Sequence, residues 1–348
     1  MKTPKFRILL PAALCLAFPW FYLSGQQTGG ERVSLLDSHR QVRLSALAGP
    51  PAGFRRWQNG YLISFALDGT LDASPDKPAV VLYDRNGQAA REAIVWFNDA
   101  KSTGVDDAAV SRLGDLFVSG GTTSPAGAIA SYIAQINHTG HVGRVIRTTP
   151  FLPVYICSAE DGTVWSYGFD RDEGGSSVAT SLSLRQYSFD KGQLRAMLDT
   201  STLGPSGWTL SRGHYPGEID LRCTSGKVGL LNGASSQWVE FDISSNKLKV
   251  SKIEPLPQID QMRITGFALT ESGDVFVSLH DRSSQPPRSG LFRLTFVGAD
   301  VGKWVPVKDT VGPFLHGAKV GQLLGTDGTE LIYTRDFDGT AYWSKYSK

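Results

Sequence analysis

The sequence predicts an all-β chain: a propeller of six four-stranded antiparallel blades, closed by an N-terminal strand that completes the last blade. Three observations predict it. Short apolar runs rich in Val, Phe, Tyr and Thr recur along the 348 residues, each too short for an ordinary helix and bounded by turn residues. A hairpin pattern returns at the turn glycines Gly60, Gly114, Gly162, Gly226, Gly273 and Gly328, at spacings of 54, 48, 64, 47 and 55 residues. Finally, a sheet made from one such unit carries two apolar faces, and stacking copies face to face buries both.

The unit is plainest from Ile264 to Val307. It reads I-T-G-F-A-L-T-E-S-G-D-V-F-V-S, then L-F-R-L-T-F-V-G, then K-W-V-P-V, with Ser272-Gly273 as the tight turn. Equivalent hairpins run over Arg55–Phe65, Ala108–Ser119, Ile156–Tyr167, Leu221–Leu231 and Leu323–Tyr333. Third strands begin near Val80, Ile133, Leu184, Trp238, Leu291 and Ala341; fourth strands fall near Ile94, Val145, Leu194, Val250 and Val305. The last repeat has no fourth strand of its own. The stretch Val33 to Leu47 has strand-like runs and no blade, so pairing Val33–Leu36 or Val42–Leu47 with Ala341–Tyr346 closes the ring and removes an edge. The second run is the preferred one.

The recurring h-x-h-x-x-x-G-x-h-h-V-S hairpin and the later h-x-h-x-x-x-G turn (h, apolar) resemble the six-bladed propellers of the NHL-repeat and gluconolactonase-like group. The resemblance covers Arg55 to Lys348. Ser111 and Thr270 stand where NHL repeats usually carry Asp after the first strand, so it extends to the superfold and not to a member family. It implies an alternative function, since the gluconolactonase-like group holds a divalent metal in a carboxylate-rich site.

Residues 1–25 begin with Lys2, Lys5 and Arg7 and continue into an apolar run from Ile8 to Leu23, short for a bilayer span and suited to a secretory signal. Residues 26–348 then form a single propeller domain, expected as a monomer in the periplasm or outside the cell. The alternative is a membrane anchor made by an uncleaved signal. Removing the signal leaves 32 basic against 33 acidic residues, which argues against nucleic acid as the main partner. Cys15 lies in the leader, preceded by Leu14 where a lipoprotein has a small residue. Cys157 and Cys223 sit on first strands of neighbouring blades, either bridged or two buried thiols.

Strand alternation puts short first-to-second turns on one rim of a propeller and second-to-third loops and blade connections on the other. The second set is long and polar: Leu67–Pro78, Gly120–Gly127, Phe169–Ser181, His280–Gly290, and the connection Asp199–Ile219. Variable loops on a rigid scaffold mark a binding face, so the expected function is a non-enzymatic module that binds a protein or a glycan-like polar ligand there. Its candidate residues are Asp106, Asp107, Trp208, His214, Tyr215, Glu218, Asp220, Arg263 and His316, and it needs no cofactor. The alternative is a metal-dependent hydrolase or lyase with one divalent cation among Asp106, Glu218, Asp220, Asp260 and His316 at the axial mouth. The bland alternative for these charges is mutual pairing at a solvated rim. No G-x-S-x-G, H-E-x-x-H, P-loop or dinucleotide fingerprint is present.

Overall fold

The computed structural model describes residues 34–36, 38–43, 54–65, 73–171, 181–196, 219–233, 236–255, 263–281, 288–296, 301–309, 321–335 and 340–347. Arg32–Lys348 forms one compact unit. Among the described residues every regular element is a strand, and no helix is long and apolar enough to cross a membrane.

The first strands are β1 (Ser34–Leu35) and β2 (Arg40–Arg43). A four-stranded antiparallel sheet follows in chain order: β3 (Phe54–Gln58), β4 (Tyr61–Phe65), β5 (Val80–Tyr83) and β6 (Ala89–Ala93). The next comprises β7 (Ser102–Val110), β8 (Leu116–Thr123), β9 (Ile129–Ile136) and β10 (Val142–Arg147), and the next β11 (Phe151–Ser158), β12 (Val164–Asp170), β13 (Ser181–Ser188) and β14 (Gly192–Ala196). Then come β15 (Ile219–Cys223), β16 (Lys227–Asn232), β17 (Gln237–Asp242) and β18 (Lys247–Ile253), followed by β19 (Arg263–Leu269), β20 (Val275–Asp281), β21 (Arg288–Thr295) and β22 (Val301–Pro306). Strands β18 and β22 touch in a two-residue parallel pairing, which joins their two sheets at the outer edge. The chain ends with β23 (Lys308–Asp309), β24 (Gln322–Asp327), β25 (Glu330–Thr334) and β26 (Thr340–Ser347).

Both N-terminal runs pair with the last strand. Arg40–Arg43 lies antiparallel to Trp343–Thr340, and Ser34–Leu35 to Ser347–Tyr346. Leu35 is 1% exposed and packs against Ala268, Phe276 and Val307, so the pairing also fills core. The preferred run is therefore used through Val42, with Leu44–Leu47 outside the described residues, and the other run is used as well.

Burial follows strand order within a sheet. The second strands β8 and β12 are almost wholly buried, whereas the fourth strands β6, β10 and β14 are mostly exposed. Each fourth strand carries Arg or Lys, as in Val-Gly-Arg-Val-Ile-Arg of β10 and Lys-Leu-Lys-Val-Ser-Lys-Ile of β18, and such charge blunts an edge that would otherwise template pairing.

The core lies between sheets, not within one. Ile63 and Leu82 pack on Val110 and Val118; Phe117 and Ile133 on Ile156 and Tyr187; Trp165 and Leu184 on Leu221 and Phe241. Leu231 and Trp238 meet Phe267 and Val277, and Ala268 and Phe276 meet Leu323 and Tyr333. Trp57 and Leu62 of the first sheet pack on Ile332 and Trp343 of the last. This is the face-to-face stacking of a β-propeller, and it explains the strand tryptophans. Trp165, Trp238, Trp304 and Trp343 are all buried between sheets; Trp96 is half-buried just beyond β6.

The turns repeat as well. Asn59 (φ 51°) and Gly60 (φ 88°) both take the left-handed conformation, the combination a two-residue hairpin turn with matching twist requires. Ser111 and Thr270 replace an aspartate with a hydroxyl that does the same local work: Ser111 Oγ accepts the Asp115 N–H at 3.0 Å and Thr270 Oγ1 the Asp274 N–H at 2.9 Å. Four first strands, β7, β11, β19 and β24, also share a bulge, a register shift between Val105 and Asp107, Pro153 and Tyr155, Ile264 and Gly266, and Leu323 and Gly325, whereas β3 and β15 pair in continuous register. A bulge re-aims the residue that follows it, and Asp107 is one such residue.

Candidate functional site

The first strands carry a buried charge network that links five sheets. Arg56 on β3 donates from Nη1 to Asp107 Oδ2 on β7 at 3.2 Å and from Nη2 to Asp220 Oδ1 on β15 at 3.4 Å. Nη1 also reaches the carbonyls of Ala108 and Ile156 at 3.4 Å. Asp107 accepts two backbone N–H groups, from Ile156 at 2.8 Å and Ala108 at 2.9 Å; Asp220 accepts the Leu221 N–H at 2.8 Å and an Arg222 guanidinium N–H. Arg222 Nη2 donates to the Phe267 carbonyl on β19 at 3.2 Å. All four charged residues are at most 6% exposed.

Burial dominates the ionisation of this cluster, and its outcome depends on the count of neighbours. Burial alone would lower Arg56, but Asp107 and Asp220 together hold it above the ordinary value. Arg222 is brought down to about 10 by burial and by repulsion from Arg56, which Asp220 only partly offsets. Burial raises the Asp107 carboxyl in spite of Arg56 and the Ile156 N–H. The phenol of Tyr155, also against the cluster, is raised mainly by burial.

Asp107 and Asp220, expected at a ligand-accepting mouth, are thus enclosed and committed to arginines and backbone donors. The expected solvated pairing does not describe them either, since they pair out of water. Asp106 occupies the bulge of β7, and Arg263 opens β19 with its backbone opposite His280. Trp208, His214, Tyr215, Glu218, Asp260 and His316 lie outside the described residues, as do the leader and most of the long loops. Among the described residues no three His, Cys, Asp or Glu side chains are grouped to hold a metal ion.

Beside the network, Cys157 and Cys223 form a disulfide between β11 and β15, with Cα atoms 5.5 Å apart. Of the two readings open in the sequence, the structure takes the bridge. Neighbouring first strands converge toward the axis closely enough to meet the geometric limit.

A cavity of about 320 Å³ opens on the rim of the short turns, away from the face expected to bind. Its deep residues include Arg222, Thr224 and Leu269, all under 9% exposed, beside Cys223 and Trp57. Its outer residues are charged and come from turns far apart in the chain. Arg112, in the β7–β8 turn, donates to Glu160 of the β11–β12 turn at 2.8 Å and to Glu271 of the β19–β20 turn at 2.7 Å. Glu271 also accepts the Ser225 N–H at 3.0 Å, and Arg85 donates to Asp327 at 2.8 Å. Recurrent short turns hide such a site from sequence reading because its polar residues look like ordinary turn residues.

No family model matches the chain, and no curated protein matches it. Solved structures similar to it include a luciferin-regenerating enzyme, at 12% identity over 89% of this chain and 95% of that one with a TM-score of 0.45. A gluconolactonase from Xanthomonas campestris matches at 12% identity, 90% and 87% coverage and TM-score 0.42, and the RRP9 WD40 repeats at 9%, 91% and 98%, and 0.41. The likeness is one of β-propeller fold.

Proposed function

We propose that the chain is a six-bladed β-propeller that acts, once exported, as a binding module for a protein or a glycan-like polar ligand on its long-loop rim. The blade count is supported by the apolar clusters between successive sheets, the last of which joins the final sheet to the first. The single observation that carries the functional reading is the asymmetry of the connections. The hairpins β3–β4, β7–β8, β11–β12, β15–β16, β19–β20 and β24–β25 turn within a few residues, whereas β4 ends at Phe65 and β5 starts at Val80, and β14 ends at Ala196 and β15 starts at Ile219. The β8–β9 connection is an exception, a short turn and not the long loop expected over Gly120–Gly127, because Gly120–Thr123 continues β8 and pairs with Ile129–Tyr132. A rigid scaffold with variation concentrated on one side is the usual arrangement for recognition. Asp220, one of the five candidate ligands of the metal-dependent alternative, already accepts from Arg56, Arg222 and a backbone N–H, which favours the binding reading.

The test uses residues 26–348 and the Trp208→Ala/Tyr215→Ala/Glu218→Ala variant, both probed with a glycan array and with the exported proteins of the source. The wild type is expected to retain partners that the triple variant loses at least about tenfold. Partners retained equally by both would remove the long-loop rim as the binding face. A stoichiometric divalent metal in elemental analysis would transfer the case to the hydrolase or lyase reading.

A further inference from the structure

We propose that the cavity on the short-turn rim is a second binding site, specific for a neutral polyhydroxylated ligand of about monosaccharide size, with the Arg112–Glu271 ion pair as its gate. It lies on the rim opposite the proposed partner face and stands without that reading.

Size comes first. At about 320 Å³ the cavity is at the lower end of small-ligand sites, large enough for one sugar ring and too small for a peptide segment or an oligosaccharide. Charge then narrows the chemistry. The three lining cations Arg85, Arg112 and Arg222 are offset by Asp327, Glu271 and Asp220. A phosphate or a carboxylate would have to displace one of these anions from its arginine, and an ammonium one of the cations. A hydroxyl group faces no such competition, because it donates to a carboxylate and accepts from a guanidinium at once. Several hydroxyls on one small ring suit walls that alternate Arg, Glu, Thr, Asn and Asp.

The floor is held rigidly: Arg222 is 6% exposed, its Nη1 donating to Asp220 and the Leu221 carbonyl and its Nη2 to the Phe267 carbonyl. Trp57 adds an apolar wall, held in place by an edge-to-face contact with Trp343 at 5.2 Å between ring centroids. The gate follows from burial. Arg112 and Glu271 side chains are 44% and 39% exposed, in contrast with the deep residues, and their ion pair joins turns of two sheets that do not adjoin. Exposed pairs of this kind are worth little, so opening the gate is within reach of a modest binding energy.

The experiment titrates the full chain with glucose, galactose, mannose and myo-inositol, and with gluconate and glucosamine as charged counterparts. The readouts are saturation-transfer NMR and tryptophan fluorescence. The expected result is saturable binding of at least one neutral probe below about 10 mM, weaker binding of its charged counterpart, and about tenfold loss in Thr326→Trp, which fills the cavity. Arg112→Gln, conservative and at the surface, is expected to speed association of the same probe. Near-UV circular dichroism and the unfolding midpoint of each variant establish that it is folded. A lack of binding by all neutral probes, a preference for the charged ones, or binding unchanged in folded Thr326→Trp overturns the proposal. Should Thr326→Trp fail to fold, Thr326→Gln takes its place with the same expectation and the same overturning result.

Discussion

Arg112 Nη2 lies 2.7 Å from Glu271 Oε1 although 159 residues separate them, and the contact joins turns of sheets that do not adjoin in the fold. The same carboxylate receives the Ser225 N–H and hydroxyl. Burial pushes the Glu271 carboxyl up, but the Ser225 donors and Arg112 outweigh burial and hold it below its ordinary value. A carboxyl depressed in the folded state contributes stability above its unfolded pKa and loses that contribution as pH falls through the folded value. The wild type is therefore expected to lose more stability than Glu271→Gln on acidification from about pH 5 to pH 3. Denaturant midpoints of both proteins across that range check it; parallel curves would show that the pair is not linked to folding.

The Arg56–Asp107–Asp220–Arg222 network makes a different demand. Removing one member leaves a buried charge without its partner, which costs about 3–5 kcal/mol, whereas replacing a pair by apolar groups of similar volume is often neutral. Arg56→Met is expected to fall in that range and Arg56→Met/Asp107→Leu to recover part of the loss. Urea unfolding of the two variants decides between this and a network of separate contacts, in which the double variant would be the worse of the two.

How legible this was in the sequence differs between fold and site. The period of the turn glycines, the alternation of apolar runs and the unpaired N-terminal stretch specify strands, sheets and closure, because each reflects a local rule or a count of strands. The network was not legible in the same way. Arg56, Asp107 and Asp220 all stand near the axial starts of first strands, where mutual pairing is one of the readings the sequence offers, but nothing local shows that they pair out of water, at 2–3% exposure, rather than on a solvated rim. The bulge that re-aims Asp107 has a weak sequence signal, and the gate joins turn residues whose contact depends on the closed ring.

The Cys157–Cys223 disulfide spans 66 residues and ties β11 to β15, so it restricts a long loop in the unfolded chain. On the chain-entropy account a loop of that length is worth about 4 kcal/mol. Cys157→Ala/Cys223→Ser is expected to lower unfolding free energy by about that amount in oxidising buffer, and dithiothreitol to bring the wild type to the same value. A wild type unmoved by reductant, with the cysteines shown free by alkylation and mass measurement, would contradict the bridge.

Leu35 provides the sharpest check on closure. It is 1% exposed and packs with Phe276, Leu323 and Tyr333, while its neighbour Leu36 is 39% exposed and its backbone N–H donates to the Lys345 carbonyl at 2.9 Å. Both residues belong to the same short pairing, so the side chain alone separates them. If the N-terminal strand fills the last sheet as described, Leu35→Ala removes buried methyl groups from a core that cannot fully collapse, at about 2–5 kcal/mol, whereas Leu36→Ala stays within about 0.5 kcal/mol. Guanidinium unfolding of the two variants at one pH is enough. Equal effects would mean that the strand lies on the last sheet without closing it, because the difference arises only where one face of the strand is buried.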